Sequence, residues 1–337
     1  PSSFGYYDFN TGVWTPMKYV GTYGTNGFYL NFSDNSNTTA TTLGKDYSGN
    51  GNNWTPNNFS VSAGAGNDSM VDVPTPWGTD TGVGGTVRGN YCTLNPLSTG
   101  TNCSPTPMVL TDGNLNFSYN RVTSGGTWAI GTMSIPSTGK WYFEFTTQSG
   151  TNGLPIYGIA SSQQNRANAA VQNLRSYNIN NGNKITTDSS GSFVVNTSYG
   201  AVATFGDVIG VAVDCDAGTL AFYKNGVSQG TAFTDVTSSG VEFSPCIYGG
   251  AADAAAGAVN FGQRPFAYTA PSGFKALCTQ NLPTPTIGAT AATQAGKFFN
   301  PVLYTGTGSA RSITGVGFQP DFTWIKERSS TSGNIVT

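Results

Sequence analysis

Histidine is absent from this chain, which closes several routes to catalysis at once. A Ser-His-Asp or Cys-His nucleophile system lacks its base, and a histidine-ligated metal lacks its ligands. Charge is scarce as well. Asp, Glu, Lys and Arg make up 9% of residues, and glutamate occurs only at Glu144, Glu242 and Glu327. A net charge of -2 without basic runs argues against a nucleic-acid partner, because phosphates need clustered Lys and Arg. No apolar run approaches the ~20 residues of a bilayer span, so membrane insertion is not expected.

The five cysteines, at 92, 103, 215, 246 and 278, contain no CxxC pair, which argues against a zinc site. Cys92 and Cys103 could close a short loop under oxidising conditions; free thiols in a reducing cytoplasm are the favoured reading. The opening residues "PSSFGYYDFN" carry neither an initiator Met nor the regions of a signal peptide, and the chain reads as cut from something longer.

Gly, Ser, Thr and Asn fill the sequence, and 12% aromatic residues supply core material. Apolar residues recur with period 2, and no long amphipathic helix interrupts them. Phe28, Leu30 and Phe32 share one face of "GFYLNF". Trp141, Phe143 and Phe145 do so in "WYFEF", with Tyr142 and Glu144 opposite. In "GDVIGVAVDCDAGTLAFYKNG" (206–226), Ile209, Val211, Val213 and Cys215 line one side, followed by Leu220 and Phe222 on the next strand. Asn225-Gly226 supplies the positive φ angles of a type I′ turn. Asp214 and Asp216 read as turn residues beside Ala217-Gly218. Such strands, punctuated by Gly, Asn and Pro, predict an all-β antiparallel sandwich, with a single short helix expected within 165–176.

The sequence divides into four parts. Residues 1–90 are loop-rich with few strands. Residues 91–277 carry the dense strand pattern. Residues 278–296 form a Pro/Thr/Ala-rich linker. Residues 297–337 hold strand signals at Ile313 and Phe322 to Ile325, the start of a truncated C-terminal β domain.

The central part resembles a SPRY domain through several blocks in order: "GKWYFEF" (139–145), "YGIA" (157–160), the 206–226 run, "FSPCIYGG" (243–250) and "VNFGQRPFAY" (259–268). The resemblance implies a bent, concanavalin A-like sandwich that binds through surface loops and is not catalytic. The flanks "GTYGTNGFYLNFSDNS", "KDYSGNGNNWTPNNFSVSAGAGNDSMVD" and "GFQPDFTWIKERS" resemble segments of bacteriophage tail-fibre and other virion proteins. That second resemblance implies an extracellular virion appendage assembled in host cytoplasm, a homotrimer contacting other virion proteins and a host-surface glycan or protein. A structural decoration or connector protein is the alternative, and a polysaccharide depolymerase ranks below both. The sandwich glucanases carry a Glu-x-Asp-x-x-Glu strand, and this chain has none.

Glycan recognition needs aromatic faces and planar polar groups on loops. Two places offer them. The loop "SSQQNRANAAVQNLRS" presents Gln164, Asn165, Arg166, Asn173 and Arg175, and the N-terminal part presents Trp54 and Trp77 among polar turns. No cofactor is expected. Asp46, Asp214 and Asp216 lie in oxygen-rich loops and are the candidate calcium ligands, foremost around Asp46 to Asn53, although EF-hand spacing is missing.

Overall fold

Period-2 alternation becomes strands wherever a second layer is available to bury the apolar set. The computed structural model describes residues 2–7, 14–17, 19–72, 89–100, 107–120, 126–151, 153–167, 170–250, 254–283, 295–329, 331 and 333–337. Two compact units result, Pro1–Leu282 and Pro283–Thr337. In the first, β1 (Gly5–Tyr7) and β2 (Trp14–Pro16) make a small hairpin. Then come β3 (Leu94–Thr99), β4 (Val109–Thr111), β5 (Asn116–Asn120), β6 (Thr127–Gly131), β7 (Lys140–Thr151), β8 (Ile156–Ser161), β9 (Arg175–Asn178) and β10 (Asn183–Thr187). They are followed by β11 (Phe193–Ser198), β12 (Val208–Asp214), β13 (Thr219–Lys224), β14 (Val227–Phe233), β15 (Phe243–Gly249), β16 (Ala254–Asn260) and β17 (Lys275–Ala276).

These strands build an antiparallel β-sandwich. One sheet has seven strands in the order β11-β10-β9-β8-β15-β6-β3. The other has eight, β14-β13-β12-β7-β16-β5-β4, with β17 added parallel to β7. Both ends of the sandwich meet: Tyr91 bridges Cys278, and Thr279 N–H donates to Asn90 O at 3.0 Å.

Trp141, Phe143 and Phe145 of β7 point inward beside Ile209, Val211 and Val213 of β12 and Leu220 and Phe222 of β13, in the register the alternation predicts. They meet Tyr157 and Ile159 of β8 and Tyr177 of β9 from the other sheet. Phe145 and Tyr157 stack face to face, centroids 4.5 Å apart, and the Tyr157 hydroxyl reaches Thr147 Oγ1 at 2.6 Å. One aromatic pair thus ties the two layers together by both dispersion and a hydrogen bond.

The outer faces are covered too. Trp128, Ile130, Ile156, Ala160 and Cys246 on the outside of the seven-stranded sheet lie with Val171 and Leu174 of the 161–174 loop. Tyr142, Ala212 and Ala276 on the outside of the eight-stranded sheet pack with Phe266 and Ala270 of the closing segment and with Tyr91 and Cys278.

Glu144, on the outward side of β7, is buried under that closing segment. Its Oε2 accepts the Ala267 N–H at 2.8 Å, and its Oε1 accepts the Tyr268 N–H at 3.0 Å and the Tyr142 hydroxyl at 3.2 Å. Burial pushes its carboxyl up to about 7, with the three donors pulling the other way. Burial and the adjacent carboxylate push the Tyr142 phenol upward, so it remains a donor.

The turns follow their chemistry. Asn225 (φ 48°) and Gly226 (φ 76°) close the β13–β14 hairpin as a two-residue turn with both φ positive. Asp214 accepts the Ala217 N–H at 2.9 Å and pairs with Lys140 at 2.9 Å. Asp216 accepts not from its own turn but from Gly139 N–H, at 2.8 Å, stapling the loop before β7.

Three expectations need correction. "GFYLNF" forms no strand: Leu30 bridges Asp46 and the Tyr47 N–H donates to Tyr29 O at 2.8 Å, but no ladder extends from them, Phe28 and Phe32 are exposed, and Phe32 has φ 53°. The described residues of 165–176 contain no helix, and Arg175 and Ser176 open β9, because Val171 and Leu174 are needed over the sheet. Ile313 is in no strand, whereas β18 (Trp324–Ile325) pairs with β19 (Ile335–Val336) in the second unit. Cys92 is a buried free thiol pushed up to about 12 by burial, while Cys103 lies outside the described residues.

Two measurements test this account. Phe222, fully buried between Tyr177 and Tyr199, is expected to cost about 3–5 kcal/mol in denaturant unfolding when changed to Ala; a loss below ~1 kcal/mol would refute the register. The Glu144 carboxyl titrates at about 7 in the fold against 4.5 in its absence. Between those values the native state keeps a proton the unfolded chain has released, so stability falls as pH rises through that window. The depressed carboxyls of Asp46 and Asp207 act below 3.8, and no histidine contributes. Glu144→Gln should flatten the slope and, by setting an amide N–H against a backbone N–H, cost about 1–3 kcal/mol. An unchanged slope would assign the pH response elsewhere.

Candidate interaction surface

The loop from 161 to 174 folds back on its own sheet, and its polar side chains hold it there. Gln164 Nε2 donates to Ser161 O at 2.9 Å and Gln172 O at 2.8 Å, while its Oε1 accepts the Gln172 N–H at 2.9 Å. Asn165 Oδ1 accepts the Ala167 N–H at 3.1 Å. Arg166 Nε donates to Thr99 O at 3.3 Å. Asn173 takes φ 52° and donates its N–H to Asp188 O at 2.9 Å. Arg175 leaves this loop for β9, where its guanidinium grips Asp235: Nη2 to Oδ2 at 2.7 Å and Nε to Oδ2 at 3.0 Å. It also lies over the Phe243 ring, at 5.9 Å, with 13% of its side chain exposed. Such a planar, two-point pair fixes the loop's exit and leaves little of this guanidinium for a ligand.

A different group of loops presents apolar side chains outward. The segment 199–207 and the β13–β14 hairpin tip are cross-linked by polar contacts. Lys224 Nζ donates to Val202 O at 2.8 Å and pairs with Asp207 at 3.2 Å. Asn225 Nδ2 donates to Asp207 Oδ1 at 2.6 Å, and Ala201 N–H donates to Gln229 Oε1 at 2.9 Å. The Tyr199 hydroxyl donates to Gly230 O. Burial works against ionisation of Asp207, but the Thr204 N–H, the Asn225 amide and the Lys224 ammonium together hold its carboxyl at about 2. On this frame Val202, Phe205 and Val227 are 55%, 51% and 65% exposed. Alternation could not find them, because Val202 and Phe205 lie in a loop and Val227 begins an edge strand.

In the N-terminal part, Trp54 stands exposed beside Phe28, ring centroids 4.9 Å apart. The loop that carries it is organised by Asp46. Oδ1 accepts the N–H groups of Tyr29 and Ser48, both at 2.8 Å, and Oδ2 accepts the Ser48 hydroxyl at 2.7 Å and the Asn52 N–H at 2.9 Å. Burial opposes ionisation there as well, and these donors outweigh it, holding the carboxyl at about 2. Both oxygens therefore serve the loop. Among the described residues no group of three or more His, Cys, Asp or Glu side chains is gathered as for a metal ion. Trp77 lies outside the described residues.

Residues 140–264 match the SPRY domain family, and residues 294–337 match a domain of unknown function, DUF7483. A Ran-binding proteins 9/10 homolog of Drosophila melanogaster is 31% identical over 170 residues, which cover 47% of this chain and 16% of that protein's length. Among solved structures, the SPRY domain of human HERC1 is 17% identical and aligns over 50% of this chain and 96% of its own, with TM-score 0.38. Another human SPRY domain is 15% identical and aligns over 46% and 95%, with TM-score 0.36. These matches correct the reading of the flanks. The relative is a Ran-binding protein homolog of an animal and the matched domain is SPRY, which overturns the tail-fibre function and the virion location. The central segment of this chain carries a SPRY domain.

Proposed function

We propose that the chain is a non-catalytic protein-interaction module whose SPRY domain engages a partner protein through the 199–207 segment and the 224–227 hairpin tip. The observation that carries this reading is the exposure of Val202, Phe205 and Val227 on a frame cross-linked by Lys224, Asp207 and Asn225. Apolar anchors held by a preformed scaffold lose little freedom on binding, which is what a recognition surface needs. The name of the Drosophila relative, a Ran-binding protein homolog, supports a protein as the ligand class. A non-catalytic role is supported by the carboxylates of the sandwich. Glu144 is buried beneath backbone donors, Asp214 is paired with Lys140 and Asp235 with Arg175, so each is engaged in holding structure.

Peptides selected from a displayed random library on the immobilised chain test the surface. Those retained by the native protein are expected to lose at least tenfold in affinity, about 1.4 kcal/mol, on the double variant Phe205→Asp/Val227→Asp. The unfolding midpoint should not move, since both side chains face solvent. Equal affinity for a well-folded double variant would remove this surface from the proposal.

A further inference from the structure

We infer that the groove beside Trp54 in the N-terminal part is a binding site for a neutral saccharide, separate from the protein-interaction surface. The groove has a volume of about 920 Å³ and is lined by the aromatic rings of Phe32, Trp54 and Phe59 together with Asn31, Asn57 and Asp68. All three rings are more than half exposed, at 58%, 54% and 53%. Among the described residues, neither Lys nor Arg lines it. That composition disfavours phosphate, sulfate and uronic acids, which call for a base, and leaves a ligand with apolar C–H faces and uncharged hydroxyls.

The indole is positioned before any ligand arrives. Phe28 packs on it, and the backbone N–H of Trp54 donates to Gly44 O at 2.8 Å. A Cβ at Gly44 would stand 1.8 Å from Trp54 O, so the chain approaches this closely only at a glycine. The Asp46 hub fixes the residues between, and Asn52 Nδ2 adds a bond to Gly27 O at 2.9 Å.

The rim carries strain that its own packing does not explain. Phe32 adopts φ 53° and Asn58, between Asn57 and Phe59, adopts φ 60°. A bulky aromatic residue in the left-handed region is unfavourable, and such residues gather at ligand sites. Here the unfavourable backbone serves an exposed ring rather than a buried one. Polar groups are in place as well. Asp68 is fixed to Ser60 by two bonds, each 2.7 Å, one from its backbone N–H and one to its Oδ2. Its Oδ1 makes no hydrogen bond among the described residues and is the acceptor for a sugar hydroxyl. Asn31 Oδ1 accepts the Ser33 N–H at 3.0 Å, which orients its amide and leaves Nδ2 as the donor.

Native gel electrophoresis of the full chain, in gels containing laminarin, dextran, hydroxyethylcellulose, galactomannan or arabinoxylan, tests the assignment. Retardation is expected in at least one gel. Trp54→Ala and Phe59→Ala should each abolish it, and Asp68→Asn should weaken it at least fivefold. Phe205→Asp/Val227→Asp should leave it unchanged, which separates this site from the protein-interaction surface. Phe59→Ala carries the test if Trp54→Ala disturbs the loop, as judged by hydrogen exchange at 44–57. No retardation in any gel, or retardation indifferent to both aromatic variants, would overturn the proposal. Self-association that Trp54→Ala abolishes would assign the groove to a second copy of the chain and overturn it equally, as would capture of apolar peptides alone.

Discussion

A carboxylate buried in the middle of the central strand constrains everything laid over it. Glu144 sits on the outward side of β7, where a charge without partners would be costly. The chain answers with the backbone N–H groups of Ala267 and Tyr268, so the closing segment must cross the sheet at this point. Once there, Phe266 meets the Tyr142 ring edge-on at 4.9 Å, and β17 adds itself beside Trp141 and Tyr142. Gly210, paired with Glu144 on β12, is part of the same arrangement, since a Cβ there would lie 2.3 Å from the Tyr142 hydroxyl. The Trp141–Glu144 stretch is thus the anchor of a cover.

How much of this was legible depended on sequence distance. The inward face of β7, β12 and β13 could be read from alternation alone, because it is a local property of each strand. The outward face could not. Alternation places Tyr142 and Glu144 opposite the core face and says nothing of what covers them, because the segment that buries them comes more than 120 residues later. Arg175 is a similar case. Two arginines in a charge-poor loop looked like ligand contacts, but Asp235, which occupies Arg175, is 60 positions away. "GFYLNF" misled for the converse reason: its pattern suits a strand, yet without a neighbouring strand its backbone turned to the Asp46 loop instead. On function, the spaced blocks of the central segment pointed to the SPRY domain, while the resemblance of the flank segments to tail-fibre proteins pointed to a function that the family and relative matches contradict.

Low charge shapes the surfaces as well as the interior. Pairs such as Lys224–Asp207 and Arg175–Asp235 brace loops, and among the groups left facing water are rings and aliphatic side chains on braced turns. Val202, Phe205 and Val227 rest on the β13–β14 hairpin, and Trp54 rests on Phe28 and the Asp46 hub. In both places polar residues hold a shape and apolar ones present it. Recognition by shape and dispersion is less sensitive to ionic strength than recognition by charge.

The meeting of Asn90 with Thr279 gives the sandwich the geometry of a cassette. Its first and last residues leave the fold side by side, joined by the Tyr91–Cys278 bridge and by Asn90 N–H to Thr279 Oγ1 at 3.0 Å. A unit whose ends coincide can be spliced into a surface loop of an unrelated protein without spreading the residues on either side of the cut. Most of the cover on the outer faces comes from the same 90–279 segment, and residues 64–72 add to it through Val71 N–H to Gln263 O at 2.8 Å and Arg264 Nη1 to Ala65 O at 2.7 Å, so a graft that keeps the whole cover starts at about residue 64. A cut at 264, where the family match stops, would strip away the segment that satisfies Glu144.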